Sequence, residues 1–135
     1  MSELYVIETA THTVVDTIPL GRNLTRVAVT PDGAFTWVSG VEESDVYVID
    51  TATNTLAATI PVGSHLTGLA ITPDGAFVYV ASLDGTVEVI STATNAVVAS
   101  IPNPAALDIA ISAQQRLRLR AQSFFRQRYR DRHGH

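Results

Sequence analysis

The segment Tyr5-Val6-Ile7-Glu8-Thr9-Ala10-Thr11-His12 returns 42 residues later as Tyr47-Val48-Ile49-Asp50-Thr51-Ala52-Thr53-Asn54. A third copy, Glu88-Val89-Ile90-Ser91-Thr92-Ala93-Thr94-Asn95, follows 41 residues after that. Ile18-Pro19 recurs as Ile60-Pro61 and Ile101-Pro102, and Thr30-Pro31-Asp32-Gly33-Ala34-Phe35 recurs as Thr72-Pro73-Asp74-Gly75-Ala76-Phe77. A fixed period of this length marks a repeat architecture, in which each unit buries its apolar face against the next. The repeat constrains the fold and carries no chemistry of its own.

Each period holds four short runs rich in Val, Ile, Thr, Tyr and Phe, separated by turn residues. In the best copy the runs are Asp45–Asp50, Thr55–Ile60, Thr67–Thr72 and Phe77–Ser82. In Thr72-Pro73-Asp74-Gly75, proline presets φ, aspartate suits the next position, and glycine accepts the left-handed conformation that re-enters a strand. Asp50 and Asn54 serve the neighbouring turn, Asp50 by capping backbone and Asn54 by tolerating positive φ. Strand Thr67–Thr72 sets Leu69 and Ile71 on one face and Gly68, Ala70 and Thr72 on the other, a bulky face beside a small one. Stacked sheets interdigitate in this way, and a four-stranded antiparallel sheet recurring every 40-odd residues is a β-propeller blade.

These residues also identify a family. Val48-Ile49-Asp50-Thr51-Ala52-Thr53-Asn54-Thr55, Ile60-Pro61-Val62-Gly63-Ser64-His65 and Ala70-Ile71-Thr72-Pro73-Asp74-Gly75-Ala76-Phe77-Val78-Tyr79-Val80-Ala81-Ser82 resemble the YVTN-type β-propeller repeat. The eponymous strand survives only as Trp37-Val38-Ser39-Gly40 and Tyr79-Val80-Ala81-Ser82. The resemblance covers residues 4–112. It implies an all-β, incomplete propeller: a half blade at 4–18, blades at 25–60 and 67–101, and one inner strand at 107–112. That is about two and a half blades, against four to eight in a closed propeller. Similar propellers occur in archaeal and bacterial surface proteins, quinoprotein dehydrogenases, lactonases and the haem domains of nitrite reductases.

Charge divides the chain. Residues 1–115 hold twelve acids and two arginines, Arg22 and Arg26, whereas residues 116–135 hold seven arginines and one acid, Asp131. The 113–135 tail breaks the repeat, reading Ala113-Gln114-Gln115-Arg116-Leu117 where a Pro-Asp-Gly turn belongs. Ala113, Leu117, Ala121 and Phe124/Phe125 fall on a helical stripe, which predicts a basic amphipathic helix over about 113–130, or a disordered tail. The rival is a strand, because Arg116-Leu117-Arg118-Leu119-Arg120 alternates and stands where the blade needs its second strand. Arginines near Phe124, Phe125 and Tyr129 suit a polyanion, but the acidic body opposes nucleic acid, and an out-of-frame terminus explains the tail more simply.

Alternate loops of an up-and-down sheet lie on opposite faces. The turns of one face are nearly constant between copies, and the loops of the other differ. Arg22-Asn23, Ser64-His65 and Pro104-Ala105 occupy matching positions, and Arg26, Gly68 and Asp108 are equivalent in the inner strands. Arg22, Asn23, Arg26, Ser64, His65 and Asp108 are therefore the candidate binding face, since loops on a constant frame carry function. His65 also belongs to the family's turn consensus, which favours a structural role, and His12 stands where other copies have asparagine. No histidine pair has metal-ligand spacing. Glu42, Glu43, Asp45 and Asp84 could form an acidic rim attractive to Ca²⁺, though a solvated edge explains them as well.

No nucleophile–base pair, phosphate loop or acid–base carboxylate pair stands out, so no catalytic residue, cofactor site or metal site is predicted. The chain has no cysteine, which excludes disulfides and thiolate chemistry. No membrane span and no signal peptide are read from the sequence, and the compartment stays open. The expected function is a non-enzymatic propeller module, binding or structural, with a cell-surface association implied by the resemblance. A fragment of a quinoprotein-dehydrogenase or lactonase-like enzyme and a truncated gene product remain alternatives. The expected partner is a second copy or another propeller chain, because an incomplete propeller exposes sheet edges. Two copies would make a six-bladed ring if Leu117 and Leu119 supply the missing second strand.

Overall fold

The computed structural model describes residues 2–21, 23–40, 44–63, 65–102, 106–112 and 117–121. Among these residues twelve strands follow one another: β1 (Ser2–Glu8), β2 (Thr13–Leu20), β3 (Leu24–Val29), β4 (Phe35–Gly40), β5 (Asp45–Asp50), β6 (Thr55–Pro61), β7 (Leu66–Ile71), β8 (Phe77–Ser82), β9 (Thr86–Ser91), β10 (Ala96–Pro102), β11 (Ala106–Ile111) and β12 (Leu117–Ala121). Among the described residues there is no helix. β3–β6 and β7–β10 are whole four-stranded antiparallel sheets, and β1–β2 and β11–β12 are two-stranded sheets.

The turns do what their residues dictate. Gly33 and Gly75 take φ of 77° and 75°, and His12, Asn54 and Asn95 take 58°, 57° and 55° at the matching place in the other turn. Asp50 Oδ1 accepts from the Ala52 N–H at 2.9 Å, closing an Asx turn. Thr92 Oγ1 donates to the Gly75 carbonyl at 2.7 Å and binds the two turns of one blade together.

The core lies between blades. Trp37, Val46, Val48 and Ile60 of the first whole blade pack with Leu66, Leu69, Val78, Val80 and Ile90 of the second. Ile18 and Leu20 of β2 pack on Val38 and Ile49. Ile109 of β11 lies on Ala81 and Val87, with Ala70 and Tyr79 beside them. The small face of each inner strand receives the bulky face of the next, as the Leu69/Ile71 and Gly68/Ala70 alternation requires.

The helix expected over about 113–130 is not formed at 117–121, where β12 pairs antiparallel with β11. At 117–121 the alternating, strand reading is the one realised. An unpaired β11 would expose a row of backbone N–H and C=O groups, and a second strand satisfies them while a helix cannot. The rest of the expected tail, residues 113–116 and 122–135, lies outside the described residues.

Candidate functional site

Asn23 and His65 stand at the same point, just ahead of β3 and β7, with φ of 47° and 56°. Both are left-handed positions, which asparagine tolerates and histidine occupies more readily than most side chains. The His65 carbonyl accepts from the Leu83 N–H at 3.0 Å and ties this loop to the β8–β9 turn. In that turn the Asp84 N–H donates to Ser82 Oγ at 3.0 Å. His65 Nδ1 lies 3.8 Å from Asp84 Oδ1, with the side chains 62% and 50% exposed. At that distance and exposure the pair is no hydrogen bond and contributes little energy. His65 thus has a backbone role.

Arg26, Gly68 and Asp108 take one register position on three successive inner strands, opposite Ser39, Ala81 and Arg120. Each follows a bulge after Leu24, Leu66 or Ala106. Arg26 is half-buried and donates from Nη1 to the Thr25 carbonyl at 2.9 Å. The fold therefore brings Arg26 and Asp108 to one height of the arc, with Asn23 and His65 in the loops at that end. Arg22 and Ser64 lie outside the described residues, as do Glu42 and Glu43 of the expected acidic rim. Among the described residues no group of three or more His, Asp or Glu is placed to hold a metal ion.

The opposite face holds a cleft that the sequence did not single out. It has a volume of about 290 Å³ and runs between the two Pro-Asp-Gly turns, lined by Thr30, Pro31, Asp32, Asp74, Gly75 and Thr92 among others. The carboxylates in it already serve their own turns. Asp32 Oδ1 accepts from Thr30 Oγ1 at 2.7 Å and from the Ala34 N–H at 3.0 Å. Asp74 Oδ1 does the same with Thr72 and Ala76, at 2.6 and 3.0 Å. The Ala34 N–H first, and the Thr30 hydroxyl second, hold the Asp32 carboxyl below the usual carboxylate range. The signal for this cleft was the recurrence of the turn itself, since side-by-side blades set identical turns next to each other.

No protein-family model matches the chain, and no curated protein matches it. Among solved structures, the fold is that of β-propeller proteins. Dihydro-heme d1 dehydrogenase NirN in complex with DHE matches with a TM-score of 0.77 and 16% identity, over 87% of this chain and 27% of that one. Kuenenia stuttgartiensis hydrazine synthase matches with a TM-score of 0.67 and 22% identity, over 72% of this chain and 28% of that one. The chain thus spans little more than a quarter of the length of either structure.

Proposed function

We propose that this chain is a non-catalytic propeller module of the YVTN-repeat type, serving as a binding or structural unit at the cell surface. The observation that carries the reading is a constant frame with varied decoration. Three inner strands share register and bulge, yet their equivalent residues are Arg26, Gly68 and Asp108. Rigid strands with variable side chains and loops at one end suit recognition better than chemistry. His65 meets a backbone demand through its positive φ and its carbonyl, which accepts from the Leu83 N–H. The test is turnover by the purified chain of a panel of lactones and, with a dye acceptor, of amines. The reading expects rates at the blank. Turnover above blank that is abolished by His65→Ala would overturn it.

A second reading has one observation in its favour. Two of the similar structures carry the names of enzymes, a synthase and a dehydrogenase, and the chain corresponds to little more than a quarter of each. In that reading it is one arc of a larger catalytic propeller, whose reacting groups sit on other blades.

A further inference from the structure

We propose that the cleft between the Pro-Asp-Gly turns binds a small hydroxylated primary amine, of the amino-alcohol or amino-sugar class. Its ammonium would sit at Asp32, with an oxygen turned toward the indole N–H of Trp37. The site lies on the face opposite the candidate recognition loops and does not depend on them.

The cleft continues inward. Phe35 and Thr92, which line it, also line a smaller recess of about 50 Å³ together with Trp37, Val48 and Asn95. Phe35 opens β4 two residues before Trp37, so both side chains stand on one face of that strand. Thr92 and Asn95 belong to the turn between β9 and β10 of the next blade. Two blades therefore wall the recess.

One wall of the recess carries an unmet donor. Trp37 is 1% exposed, and its indole N–H has no hydrogen-bond partner among the described residues. A buried N–H of this kind costs free energy until an acceptor reaches it. The donor is particular to this junction. Ala28 stands opposite Trp37, whereas the equivalent Ala70 stands opposite Tyr79.

The rim offers the opposite group. The hydrogen bonds from Thr30 and Ala34 to the Asp32 carboxylate both end on Oδ1, and Oδ2 is the atom left to a ligand's cation. Asp74 places a second carboxylate in the same lining. Since no metal-holding group of three acids or histidines is formed among the described residues, the cation that fits is an organic ammonium. It meets a carboxylate through a charge-assisted hydrogen bond. Phe35 lines both spaces and is 39% exposed, an apolar wall for the ligand's carbon frame. At about 290 Å³ the cleft stands at the lower end of the roughly 300–1,000 Å³ of small-molecule sites, a size that suits a monosaccharide.

The chain has a single tryptophan, so its one indole N–H resonance reports on the recess directly in proton–nitrogen NMR of the whole chain. Glucosamine is expected to shift that resonance saturably. Glucose lacks the ammonium and cyclohexylamine lacks the hydroxyls, and each is expected to shift it far less at equal concentration. Asp32→Asn should weaken glucosamine binding about tenfold, the worth of a charge-assisted hydrogen bond. Asp16→Asn removes a charge on β2, outside the cleft, and should leave binding unchanged. Dispersion of the backbone resonances shows that each variant is folded. The proposal is overturned by no saturable shift with glucosamine, by an equal shift with glucose or cyclohexylamine, or by unchanged binding in folded Asp32→Asn.

Discussion

Ile60 and Ile90 are buried in one cluster at the junction of the two whole blades, 4% and 0% exposed. Ile18 and Ile49 form the equivalent pair one junction earlier, 8% and 2% exposed. The remaining members of the two series are Ile101 and Ile7, and they stand 37% and 56% exposed at opposite ends of the arc. Ile60→Ala should therefore destabilise the fold by about 2–5 kcal/mol in urea titration. Ile101→Ala, at a position 37% exposed, should cost much less in the same titration.

Trp37 is 1% exposed in the main core, and its indole N–H has no hydrogen-bond partner among the described residues. Trp37→Ala should cost about 3–5 kcal/mol through lost burial and the cavity left behind. Trp37→Phe removes the orphan donor along with part of the ring, so the two effects oppose each other. Urea titration is expected to place Trp37→Phe well nearer the wild type than Trp37→Ala.

Gly33 and Gly75 hold nearly the same positive φ in equivalent turns but differ in their surroundings. A Cβ on Gly75 would lie 3.3 Å from Pro31 Cδ, whereas one on Gly33 would meet nothing within 4 Å. Gly33→Ala should cost about 1–2 kcal/mol, the strain of a left-handed alanine. Gly75→Ala should cost more, because the neighbouring blade's proline must also give way. Thermal melts of the two variants measure the difference.

Acid should loosen the Pro31-Asp32-Gly33 turn. The folded-state pKa of Asp32 is lowered, so its contribution is fully present above the unfolded-state value and is lost as pH falls through the folded-state value. Asp32→Asn should cost stability at neutral pH and little in acid, and so flatten the pH dependence on the acid side. Urea midpoints measured from neutral pH down into the acid range test the slope.

Much of the fold was legible because the repeat presents each local signal two or three times in order. The strands, the Gly33 and Gly75 turns and the large-small alternation at Leu69 and Gly68 follow from local preferences that agree with the packing. The end of the repeat was not legible in the same way. Leu117 and Leu119 fit both a helical stripe and a strand, and the choice depends on the open edge of β11, which local sequence does not encode. The candidate face was legible only as a difference between copies. Asn23 and His65 satisfy backbone demands with the same residues that could bind a ligand, so residue type alone could not separate the two. The cleft between the Pro-Asp-Gly turns was missed because it exists only once two blades stand side by side.

The most direct test of the whole account is the far-UV circular dichroism of the purified chain. A strand-dominated spectrum, as the two four-stranded sheets β3–β6 and β7–β10 require, is the predicted result. A spectrum dominated by helix would contradict it.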